Sequence, residues 1–161
     1  MAMWINPVFD RTQEDVDFAI KTIEEWINTD IAGKLFVLYD LKGCLNVSDI
    51  NRIENNIAYL AEILISHGYY PNVVTKTWTN TGLPTENDIE RIIKNLHEIL
   101  NSFYVSQKAP AVPKNLLSYE EVNAIEENLF ITKELIDIML NSFKVSGAFY
   151  SGTTSYLPIR R

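Results

Sequence analysis

The chain has 161 residues, a net charge of -7 and a pI near 4.8. That length suits one domain with a real apolar core, and the acidic balance argues against roles that depend on neutralising phosphates, so nucleic acid is not an expected partner. Cys44 is the single cysteine, which excludes an internal disulfide and fits synthesis in a cytoplasm. The opening Met1-Ala2-Met3-Trp4-Ile5-Asn6-Pro7 is no signal peptide, and no run of about 18 apolar residues follows, so no membrane partner is expected.

Four times a capping residue is followed three places on by an acid and then by apolar residues at helical spacing. Thr12 with Asp15 opens a helix predicted over about 12–27, with Val16, Ala19, Ile20, Ile23, Trp26 and Ile27 inward. Lys34–Tyr39 then reads as extended. Asn46 with Asp49 starts a helix over 46–66, carrying Ile50, Ile53, Ile57, Leu60, Ala61 and Leu64. Asn72–Thr79, bounded by Pro71 and Gly82, is again extended, and could pair with Lys34–Tyr39 as a minor two-stranded β-ribbon. Thr85 with Asp88 begins a helix over 85–104, carrying Ile89, Ile92, Ile93, Leu96, Ile99, Leu100 and Phe103. Gln107–Lys114 is a spacer stiffened by two prolines. Ser118 with Glu121 is the full capping box, the aspartates being shorter, weaker forms; it opens a helix over 118–145 that stops before Gly147. Its stripe is Val122, Ile125, Leu129, Leu135, Ile136, Met139 and Phe143. The expected fold is mainly α, a small four-helix bundle over residues 1–147, with an irregular C-terminal arm over 148–161.

Chemistry-bearing patterns are sparse. His67 and His97 stand in different helices without metal-ligand spacing, and Cys44 has no activating context. No phosphate-cradling glycine loop or nucleophile elbow occurs, and paired acids such as Glu126-Glu127 point about 100° apart on a helix. No catalytic residue, metal or cofactor is therefore expected, and the chain does not read as an enzyme. Polar residues do recur at equivalent places beside the apolar stripes: Asn51, Arg52, Glu54 and Asn56; Arg91 and Asn95; Asn123, Glu126 and Asn128. Their expected role is structural, bonding helices to the extended linkers, since an amide can satisfy both kinds of backbone group.

The stretch Asp49-Ile50-Asn51-Arg52-Ile53-Glu54-Asn55-Asn56-Ile57, with its N-R-I-E-x-N phrase, resembles a segment of tail- and baseplate-associated structural proteins of phages and prophages of Gram-positive bacteria. Lys76-Thr77-Trp78 through Asn95-Leu96, Leu117 through Glu126, and Ser146 through Gly152 extend the likeness. The first repeat departs from it, with Asp17-Phe18-Ala19-Ile20 in place of N-R-I-E. The resemblance implies a non-catalytic virion component, made in a bacterial cytoplasm, oligomeric within an assembly, touching other tail or baseplate proteins and linking to a receptor-binding fibre. Trp4, Phe149, Tyr150 and Tyr156 are then candidate partner-binding residues, since terminal segments without their own core are ordered by docking. The competing readings are an intracellular acidic adaptor or antitoxin-like module, and a small helical-bundle enzyme.

Overall fold

The structure, a computed structural model, describes residues 2–28, 41–79, 84–116 and 118–151. Within them lie four helices: α1 (Gln13–Ile27), α2 (Val47–Ser66), α3 (Glu86–Ser102) and α4 (Tyr119–Ser151). Each starts at a cap that the sequence supplies. Asp15 accepts from Thr12 N–H at 2.8 Å, Asp49 from Asn46 N–H at 3.0 Å, Asp88 from Thr85 N–H at 3.0 Å, and Glu121 from Ser118 N–H at 2.9 Å. The aspartates thus make the same link as the glutamate. Thr12 and Thr85 draw the shorter acid in by donating their hydroxyls to the same carboxylate oxygen, at 3.0 and 2.8 Å.

Helices α2, α3 and α4 pack against one another around a continuous apolar core. The stripes meet as their spacing requires: Ile53, Ile57, Leu60 and Leu64 from α2, Ile92, Leu96 and Ile99 from α3, and Ile125, Leu129 and Ile136 from α4 are fully buried. At about 1.5–3 kcal/mol for each such side chain, this cluster is the main favourable term. Trp78 and Leu116, from the segments before α3 and α4, close it.

Helix α1 stands outside that cluster. Among the described side chains of its expected stripe Ala19 is buried, while Ile20 and Ile27 are exposed; α1 has no helix packing among the described residues to match that of α2, α3 and α4 with one another. It is fastened instead by the loop before α2. Lys42 lies 3.2 Å from Asp10 and 3.3 Å from Asp15, and Gly43 passes so close that an added Cβ would sit 2.1 Å from the Asp15 carbonyl oxygen. Helix α2 ends in a Schellman turn, Tyr69 N–H reaching Leu64 C=O and Gly68 N–H reaching Ile65 C=O, with Gly68 at φ +87°. The turn puts Tyr69 edge-on to Phe103, 5.4 Å between ring centres.

Three further expectations change. Asn72–Thr79 is extended but forms no strand, and no strand occurs among the described residues; Lys34–Tyr39, its expected partner, lies outside them. The backbone groups of Val74 and Trp78 are taken by side chains, as described below. Helix α4 continues through Gly147 to Ser151, so the first four residues assigned to the C-terminal arm are helical; residues 152–161 lie outside the described part. An interior glycine costs only about 0.5–1 kcal/mol, and no proline follows to stop the helix before Ser151. Phe143, assigned to the α4 stripe, is exposed, and Thr132 is buried on that helix, its hydroxyl donating to Asn128 C=O at 2.8 Å.

Because Gly43 leaves no room for a methyl group, Gly43→Ala should lower unfolding stability by about 1–3 kcal/mol. Gly68→Asn, which tolerates positive φ, should cost less than half of that; urea denaturation of both variants compares the two directly.

Candidate functional site: a polar network that holds extended chain

The recurring polar residues lie in the grooves between helices, where they hold the extended segments. An asparagine amide carries one acceptor and one donor group, so it can close a ring with the N–H and C=O of one residue. Four do so. Asn56 on α2 accepts from Ile5 N–H at 3.0 Å and donates to Ile5 C=O at 2.8 Å. Asn51 holds Trp78 in the same way at 2.8 and 3.0 Å, Asn95 on α3 holds Val74 at 3.0 and 2.7 Å, and Asn123 on α4 holds Arg11 at 3.4 and 2.9 Å.

Asn128, the α4 counterpart of Asn56 and Asn95, is half of such a ring. It donates to Pro110 C=O at 3.0 Å, but a proline has no N–H to return, and Asn128 Oδ1 is buried without a partner. The proline that stiffens this linker therefore removes one hydrogen bond from the third clamp.

Charged members of the phrase join α2 to each of its two neighbours. Arg91 of α3 pairs with Glu54 of α2, and Arg52 of α2 grips Glu126 of α4 with two nitrogens, Nε and Nη2, at 2.8 and 2.7 Å. The third pairing, α4 to α3, would fall to Ala124 and Ile93, which carry no charge. Of the three equivalent pairs of positions, two thus carry an ion pair and the third carries apolar residues. The carboxylate of Glu54 also accepts from the Trp78 indole at 3.2 Å. Both arginines are held above their ordinary range, Arg52 chiefly by its hydrogen bonds to Glu126 and Arg91 by those to Glu54.

Arg11 and Asp49 complete the network. Arg11 is buried, donating to Asp49 at 2.7 Å and to Glu126 at 3.1 Å, while Arg52 reaches the same Asp49 oxygen at 2.5 Å. Two guanidiniums and two carboxylates cancel, which makes their burial tolerable. Val8 is bound into it, its N–H donating to Glu126 at 2.8 Å and its C=O accepting from Arg11. Ile5, Val8 and Arg11 are thus held at every third residue, the repeat of a polyproline II helix. Sequence pattern points to neither Arg11 nor the second duty of Asp49: Arg11 precedes the first cap, and the place of Asp49 in the repeat marks only a capping acid.

The aromatic candidates fare differently. Trp4 packs within the chain, its ring 5.7 Å from that of Tyr59 and 5.7 Å from Lys133 Nζ. Phe149 and Tyr150 fall in the last turns of α4, but their side chains, like Tyr156 as a whole, lie outside the described part. A cleft of about 300 Å³ beside the network is lined by Arg11, Cys44, Leu116 and Val122 among others; burial pushes the Cys44 thiol up, away from the reactive thiolate. His97 is exposed and His67 caps α2, and no three His, Cys, Asp or Glu residues gather as a metal site among the described residues.

Glu54→Ile should cost about 3 kcal/mol, because it leaves the Trp78 indole without its acceptor and takes the close carboxylate from Arg91, which keeps only Val74 C=O and Asp88 at 4.0 Å. The pair Glu54→Ile with Arg91→Ala, which installs the residue types found at the equivalent positions 93 and 124, should recover at least about 1 kcal/mol of it in denaturant unfolding. A pH titration checks the α3 cap. Asp88 is held well below its ordinary value of 3.8, first by Lys76 at 2.6 Å and then by Thr85. A depressed carboxylate stabilises the fold above the unfolded value, and that contribution is lost as pH falls through the folded one. Wild type should therefore lose more stability than Asp88→Asn as pH drops below about 4. Comparison with known protein families, curated proteins and solved structures finds no match to this chain.

Proposed function

We propose that this protein is a non-catalytic structural component of a phage tail, baseplate or phage-tail-like particle, touching other tail proteins and linking towards a receptor-binding fibre. One observation carries the reading: the N-R-I-E-x-N residues on which the resemblance rests are the same residues that clamp extended chain onto the core. Asn51 and Asn56 each close a ring on a backbone residue, while Arg52 and Glu54 join α2 to its neighbours. The distinctive phrase is thus committed to architecture. The clamps fix extended segments on the outside of the core, where Met3, Ile5, Tyr70 and Val74 stay exposed. With Phe18, Ile20 and Ile27 on α1, and Ile138 and Phe143 on α4, they are apolar surface suited to an assembly. No described helix is long and apolar enough to cross a membrane.

Mass spectrometry and electron microscopy of purified induced particles test the reading. The protein should be present in fixed ratio to the tail proteins, and deleting its gene should leave particles with incomplete tails. Its absence from purified particles, with recovery in a one-to-one complex with a soluble cellular protein, would overturn the proposal.

A further inference from the structure

We infer that Thr75–Thr77 is an open strand edge that binds an extended, carboxylate-bearing polypeptide segment of a partner protein, laid in the cleft that this edge shares with α2. The clamps set up the edge. Val74 and Trp78 both turn their N–H and C=O to amides, those of Asn95 and Asn51. Their even spacing is the two-residue alternation of a strand, so Thr75 and Thr77 turn their N–H and C=O the other way. Among the described residues nothing meets those groups: Thr75, Lys76 and Thr77 are exposed and make no main-chain hydrogen bond. Unpaired main-chain groups held in a row are a template for another chain. Here the clamps at either end have already ordered the segment, so binding does not have to.

A cleft of about 580 Å³ is lined by Thr75, Lys76 and Thr77, by Arg52 and Ala58 of α2, and by Ile5 of the N-terminal arm, residues 2–11. Its free polar groups set the chemistry of the occupant. Arg52 spends Nε and Nη2 on Glu126 and Asp49 and leaves Nη1 unbonded among the described residues. Lys76 donates to Asp88 at 2.6 Å and keeps the rest of its ammonium N–H groups. Glu54, the carboxylate in the cleft, is already taken by Arg91 and the Trp78 indole. The cleft therefore still offers cationic N–H, which a carboxylate on the incoming segment matches. An apolar segment would leave these donors unmet, and a small free acid would not use the edge. A chain outside any particle offers the same edge, so this site and the virion reading stand or fall separately.

Hydrogen exchange on the isotope-labelled full chain tests it, with the synthetic peptide acetyl-Thr-Glu-Val-Glu-Val-Glu-Thr-amide as the probe. In the protein alone Thr75 and Thr77 should exchange freely; with the peptide at about a millimolar both should slow at least about tenfold, while Val74 and Trp78 stay as they were. The same peptide with Gln for Glu should bind at least about tenfold more weakly. Methylating alternate peptide nitrogens of the probe should abolish binding in one register and spare it in the other, because strand pairing uses one edge of the incoming chain. Acetate at the same carboxylate concentration should leave Thr75 and Thr77 exchanging freely. Protection of Thr75 and Thr77 in the protein alone, no slowing with the peptide, slowing by acetate, equal binding of the Gln peptide, or equal behaviour of the two methylated peptides would each overturn the inference.

Discussion

A helix surface has no free backbone groups to offer, so an extended segment laid on it must find its donors and acceptors in side chains or in water. This constraint shapes the protein. Between its helices run long extended segments, and asparagine, which offers donor and acceptor together, stands wherever one of them is held: Asn51, Asn56, Asn95 and Asn123 each close a two-bond ring on one residue of extended chain. The packing follows. Trp78 enters the core because Asn51 holds its backbone and Glu54 its indole, and the arm reaches the buried network because Asn56 and Asn123 hold it at either end.

Three helices share one design with graded completeness. At equivalent positions α2 has an arginine, a glutamate and two asparagines; α3 keeps an arginine and one asparagine; α4 keeps a glutamate and both asparagines. Each retained arginine finds the retained glutamate of the neighbouring helix, and where neither remains, Ala124 and Ile93 stand instead. Asn128 facing Pro110 is the corresponding loss among the clamps. Buried ion pairs are costly unless fully bonded. The Glu126 carboxylate meets that condition, with Arg52 on two nitrogens, Arg11 and the Val8 N–H around it.

The helices and most of the core were legible because a capped apolar stripe is a local signal, readable without knowing the partner. Ile53, Ile57, Leu96 and Leu129 are buried where their spacing puts them. What escaped depends on partners far away in sequence. Asn72–Thr79 has the composition of a strand, yet whether its N–H groups meet another strand or an amide is settled by residues 20 or more positions away. Ile20 and Ile27 look like core until α1 is seen outside the three-helix cluster. The amides of the repeated phrase could be marked as helix-to-linker contacts, but not matched to Ile5, Val74 or Arg11. Arg11 itself carries no pattern at all; only the fold shows it 2.7 Å from Asp49.

Backbone amide hydrogen exchange tests the central claim most directly, because it reads the clamped N–H groups one by one. Ile5, Val74 and Trp78 should exchange at least a hundred times more slowly than expected for free peptide, although none belongs to a helix or sheet. Thr75 and Thr77, between two clamped residues, should exchange much faster, and Asn95→Ala should release Val74 while leaving Ile5 protected. Val74 and Trp78 exchanging as fast as Thr75 and Thr77 in the intact protein would contradict the account.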